Sequence, residues 1–183
     1  LVALTCAGLW EVYFRAGFSL AYPIDYQGDS IQHLMIVKRL LEGAWYLDNH
    51  VQGYPFGARL HDVPGADFGS LVILTALVHA TGSPVLAVNL YFLASFPVTA
   101  LVTYVVLRRL ELSRPFAVCG ALLFAFAPFH ILRVWHLYYA WYWVVPVFFL
   151  IALRLASDSP RTAVPTAGGK AWTGGLLLLA LSS

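Results

Sequence analysis

Apolar residues run along this chain in long blocks separated by short polar stretches, the pattern of membrane-crossing helices. Residues 1–20 predict the end of a first transmembrane helix, closed by Pro23. A polar excursion then extends from 21 to 67. Within it, Ile31, Leu34, Val37 or Lys38, and Leu41 fall on one face, which predicts an amphipathic helix over 30–42 able to lie on a membrane surface. The remainder, WYLDNHVQGYPFGARLHDVPGADFG, is rich in Gly, Pro, Asn and Asp and predicts turns, with a tight one at Tyr54–Gly57. Segment 68–80 is apolar but falls short of the roughly 20 residues a bilayer requires, so it predicts a juxtamembrane or re-entrant helix. Full spans are expected at 84–107, 116–132 and 137–153, with the start of a further one at 172–183.

Composition strengthens this reading. Hydrophobic residues make up 60% of the 183 positions and charged residues 11%, well below the roughly one quarter usual in soluble domains. The expected architecture is all-α: a polytopic transmembrane helix bundle with a long external loop carrying juxtamembrane helices, in a single domain. The chain begins and ends inside apolar runs, so it reads as a piece of a longer membrane protein. No basic patch of the kind nucleic acid requires is present. Cys6 and Cys119 both lie in apolar blocks and read as small core residues, as does His79.

Charge sets the expected topology. Six of the nine acidic residues lie between Asp25 and Asp67. If 68–80 does not cross, Arg108, Arg109, Arg114, Arg154, Arg161 and Lys170 share one side, and the acidic loop faces the other. The positive-inside rule then puts the loop outside. The segment HILRVWHLYYAWYW emerges on the same outer side, its Trp and Tyr residues forming an interfacial belt.

The candidate chemistry is sparse and concentrated there. Asp29 stands at the mouth of the amphipathic helix with Gln32 three residues on, the spacing of a capping box. A carboxylate in that place is an N-cap, or it takes a proton from an incoming hydroxyl, or it binds a divalent ion. Asp25 is positioned to share that work, and His33 lies one turn beyond Asp29. On the second outer segment, His130, Arg133 and His136 are spaced by three and would share a face if the helix continues, a cationic group suited to a phosphate headgroup. Glu11 and Arg15, four apart, are placed to pair within an apolar helix. No Gly-rich phosphate loop, HExxH, CxxC or GxSxG is present.

Taken in order, Gly28-Asp29 through Gln32-His33-Leu34, Tyr54–Ala58, Asp62–Asp67, GSPVLAVNLYFL, the Arg-Arg turn and LLFAFAPFHILRVWHL resemble the N-terminal part of bacterial polytopic membrane glycosyltransferases of the GT-C superfamily. The resemblance covers most of the chain. It implies a polyprenyl-phosphate-linked sugar as donor, an outward-facing site at a bacterial inner membrane, and a catalytic aspartate in the first external loop. Asp29 matches that aspartate first and Asp25 second. It further implies that Arg133, with His130 and His136, holds the donor phosphate; His33, Gln32 and Tyr54 are candidate substrate-binding residues beside them. The loop lacks a D-x-D pair, so a divalent cation (Mg or Mn) on Asp29 and Asp25 stays an open expectation. The rival expectation is a transporter or lipid-handling membrane protein, with Glu11 and Arg15 on its substrate path.

Overall fold

The computed structural model describes residues 1–44, 48–50, 55–59 and 68–157. The regular elements among these residues are helices, apart from a two-residue antiparallel pairing of β1 (Asp48–Asn49) with β2 (Ala58–Arg59). The helices are α1 (Val2–Leu9), running on as a π-helical turn Trp10–Phe14, α2 (Asp29–Leu41), α3 (Phe68–Thr81), α4 (Pro84–Arg109), α5 (Arg114–Ala125), α6 (Pro128–Ile131), a 3-10 helix Leu132–Ala140, and α7 (Val144–Ser157).

Helix α4 is the centre of the arrangement: α1, α2, α3, α5, α7 and the 3-10 helix all pack on it. It starts where Ser83 accepts a hydrogen bond from the Leu86 amide with Pro84 in the first turn, the arrangement that satisfies an exposed helix start. Tyr91, Phe92 and Phe96 of α4 are fully buried together with Leu71, Leu74 and Val78 of α3, Val37 of α2 and Leu137 of the 3-10 helix. Apolar transfer into this cluster holds the elements together.

Among the described residues, two helices are long and apolar enough to cross a membrane, Pro84–Arg109 and the composite Arg114–Ala140. Helix α3 has 14 residues, a length of about 21 Å, shorter than a hydrocarbon core of about 30 Å. Phe116, Leu123, Leu132, Phe149 and Leu155 are each more than half exposed. An apolar surface of this extent marks a face that meets lipid or another protein.

The structure departs from the sequence expectations at several points. The first helix ends at Phe14, and Gly17, at φ +90°, turns the chain well before Pro23. The span expected at 116–132 is broken: α5 stops at Ala125, and α6 restarts at Pro128. Proline has no amide hydrogen, so the Phe124 carbonyl four residues earlier loses its helical donor. The Tyr142 hydroxyl donates to it instead at 2.6 Å. The span expected at 137–153 starts only at Val144, because the chain ahead of it is 3-10 up to Ala140. Cys6, Cys119 and His79 are exposed rather than buried, since they lie on the outer faces of α1, α5 and α3. The further span at 172–183 lies outside the described residues.

Candidate functional site

Gly28 determines how the site begins. Its backbone, at φ 50° and ψ −126°, lies where side-chain-bearing residues are strained, and it is Gly28 that occupies the N-cap of α2. Asp29 is therefore the first helical residue, and no side chain caps this helix. The capping role expected of Asp29 is overturned, and its carboxylate is turned to a different partner. Asp29 Oδ2 lies 3.2 Å from Nδ1 of His136, with side chains 58% and 42% exposed respectively. His136 reaches it because its own backbone (φ −120°, ψ 67°) breaks the 3-10 helix at that residue.

Asp25 is held by its own loop. Its Oδ2 accepts hydrogen bonds from the Ser30 hydroxyl at 2.6 Å and the Gln27 amide at 3.1 Å. The Ser30 oxygen also lies 3.4 Å from the Val134 carbonyl, so Ser30 stands between the loop and the 3-10 helix. The loop in turn hangs on α4. Asn89 is 1% exposed; its amide nitrogen donates to the carbonyls of Tyr22 at 2.7 Å and Leu20 at 3.1 Å, and its oxygen accepts from the Ile24 amide at 3.3 Å.

His33 is buried, at 7% exposure, with its ring edge-on to Tyr138 at 4.8 Å between centroids. Its Nδ1 has no hydrogen-bond partner among the described residues, an omission that costs about 1–3 kcal/mol. Burial lowers its pKa from 6.5 to about 4; the Asp29 carboxylate pulls the other way, and His136 adds to the lowering. His33 is thus neutral at physiological pH.

The buried face of α2 consists of Ser30, His33, Ile36, Val37 and Leu40. The expected stripe of Ile31, Leu34 and Leu41 is one residue out of phase: Ile31 is exposed, and Leu34 and Leu41 are half-buried. The helix turns its most apolar triplet, MIV, against α3 and α4, and His33 is carried inward with it. Gln32 is exposed on the opposite side. Tyr54 lies outside the described residues, as do Asp62 and Asp67.

The cationic cluster does not assemble as expected. His130 is fully buried, stacked on Phe96 at 3.8 Å. Its Nδ1 donates to the Ala125 carbonyl and its Nε2 faces the Ser95 hydroxyl, both at 2.7 Å. His130 therefore closes the helix break left by Pro128 and is removed from any phosphate. Arg133 lies over the Phe129 ring at 4.1 Å, a cation–π contact, and has no ion pair with a described residue. The shared face dissolves because the α-helix ends at Ile131 and the 3-10 period takes over.

Among the described residues, no group of three or more His, Cys, Asp or Glu side chains converges as a metal site. Asp25 and Asp29 engage separate partners, Ser30 with Gln27 and His136 respectively. Glu11 and Arg15 pair at 2.6 Å on an exposed face of the first helix, away from Asp29. No family model, characterised protein or solved structure matches the chain.

Proposed function

We propose that the chain belongs to a polytopic membrane glycosyltransferase. It would move a sugar from a polyprenyl-phosphate donor to an acceptor hydroxyl at the external face of a bacterial inner membrane. The observation that carries this reading is the half-exposed Asp29–His136 pair. A carboxylate free of capping duty, oriented by an imidazole and open to solvent, is equipped to act as a general base. The two helices long enough to cross a membrane, with Arg108, Arg109 and Arg114 at the turn between them, agree with the positive-inside orientation that puts this pair outside.

In this scheme Asp29 takes the proton from the acceptor hydroxyl. The acceptor oxygen forms a bond to the anomeric carbon as the bond from that carbon to the phosphate oxygen breaks. The electron pair leaves with the polyprenyl phosphate. His136, with Nδ1 3.2 Å from Asp29 Oδ2, orients the carboxylate toward the acceptor. Arg133, unengaged by any described carboxylate, is the cation available to the leaving phosphate. His130 has no part in it.

The test uses the full-length protein in membranes supplied with a polyprenyl-phosphate-linked sugar. Asp29→Asn is expected to lower transfer by about 10²–10⁴-fold, the usual contribution of a general base, with expression and insertion unchanged. Full activity in that variant would remove Asp29 from the reaction and the reading with it.

A further inference from the structure

Beside the Asp29–His136 pair lies a water-sized pocket lined by Asp25, Ser30, His33 and Asn89 and walled by Val88 and Phe92. Most of its polar capacity is already committed. The Asn89 amide is engaged at both ends by the loop backbone. The Ser30 hydroxyl gives its hydrogen to Asp25. What remains is Oδ1 of Asp25, since both of that residue's hydrogen bonds go to Oδ2, and Nδ1 of the buried His33. One of these only accepts hydrogen bonds. The other, on a neutral ring, donates or accepts according to its tautomer.

We infer that this pocket is a subsite for a single hydroxyl group of a sugar substrate, held between the Asp25 carboxylate and the His33 ring. The inference rests on the glycosyl-transfer reading and adds to it a group that selects substrate. A hydroxyl carries one hydrogen for Asp25 and lone pairs for an imidazole N–H, and in the other tautomer it serves the ring nitrogen as donor. An anion is repelled by Asp25. An ammonium could donate to Asp25 and to a bare ring nitrogen, but the apolar walls of Val88 and Phe92 disfavour burying its charge. The water-sized volume admits one hydroxyl and leaves the rest of the sugar outside the pocket. A deoxy analogue is disfavoured because it leaves the buried Nδ1 of His33 without a partner and gives the half-buried Asp25 carboxylate nothing in exchange.

The test uses full-length protein with nitrogen-15-labelled histidine, in nanodiscs of phosphatidylcholine and phosphatidylglycerol. Methyl β-D-glucopyranoside is the probe, and the His33 resonance is assigned by its loss in His33→Phe. A saturable shift of the His33 ring nitrogen is expected in the wild type. It persists in Asp29→Asn, and its midpoint rises at least tenfold in Val88→Leu, which fills the pocket. Asp25→Ala gives the same weakening should Val88→Leu fail to fold. No saturable shift, a shift indifferent to both pocket variants, or an equal shift with methylammonium chloride would overturn the inference. A saturable shift in a wild-type protein that transfers no sugar keeps the hydroxyl subsite and overturns the enzyme reading. In the transfer assay, the substrate whose KM rises tenfold in Val88→Leu is the one that supplies the hydroxyl, which tells donor from acceptor.

Discussion

Replacing Asn89 by Leu removes the α4 side chain that hydrogen-bonds the loop ahead of Asp25 and leaves the volume nearly unchanged. Three hydrogen bonds are lost, to Leu20, Tyr22 and Ile24. At a net worth of about 1 kcal/mol each, they amount to about 3 kcal/mol. The higher cost of leaving all three backbone groups buried and unpaired does not apply, because Ala21 and Tyr22 are exposed and water reaches the freed loop. The loss is local, since Leu does not disturb the apolar contacts of Phe92 and Phe96 further along the helix. With every 1.4 kcal/mol worth a factor of ten, hydrogen exchange at the Ile24 amide should quicken by roughly a hundredfold in Asn89→Leu, while amides in the middle of α4 keep their protection. Asn89→Asp should also fail to restore the loop, because a carboxylate keeps the acceptor for Ile24 but has no hydrogens for the two carbonyls. Unchanged exchange at Ile24 would refute the reasoning, and equal loss of protection along the whole of α4 would assign Asn89 to general packing.

Two further outcomes follow from the same region. His33 has its folded pKa lowered from 6.5 to about 4, so its neutral form stabilises the fold fully above about pH 6.5. That contribution is lost as pH falls toward 4, at up to about 1.4 kcal/mol per unit and roughly 3 kcal/mol in all; melting curves from pH 7 to 4 should show a decline that His33→Phe flattens, and parallel curves would contradict it. Gly28→Ala should lower the melting temperature through backbone strain of about 1–3 kcal/mol, since an added Cβ there meets nothing within 4 Å; an unchanged melting temperature would mean that the turn relaxes freely.

Helix placement was legible where a pattern was long and uninterrupted. The 84–107 expectation became Pro84–Arg109, and 68–80 became Phe68–Thr81, because apolar length and the Ser83-Pro84 start are local signals. The helix expected over 30–42 was found at Asp29–Leu41, but its first residue and its buried face were misplaced. An aspartate with a glutamine three residues on fits a capping box; only the positive φ of Gly28 moves the cap one position earlier. The phase of α2 depends on α3 and α4, which no spacing within 30–42 reveals. The break at Pro128 could be read from the proline, but not the answer to it, since Tyr142 and His130 reach back to carbonyls 18 and 5 residues away. Asp29 was visible as a polar anomaly, whereas its tie to His136 depends on how the intervening helices fold. Asn89 was missed although it carried a signal: a lone amide in an otherwise apolar span needs partners, and these were 65 to 69 residues back.

The tie between Ser30 and Val134 spans 104 residues, and the Asp29–His136 pair is its neighbour. All of α3, α4, α5 and α6 lies between the two halves. Closing a loop of that length must wait for the local hairpin of α4 and α5 to form, because non-local contacts return free energy only after the chain entropy of closure has been spent. The pocket is therefore among the last features to appear as the chain folds. In a growing polypeptide, α2 is made early and waits with Ile36, Val37 and Leu40 uncovered until α3 and α4 pack on it. The site residues Asp29, Ser30 and His33 wait longer, until the 3-10 helix brings His136, Val134 and Tyr138 to them.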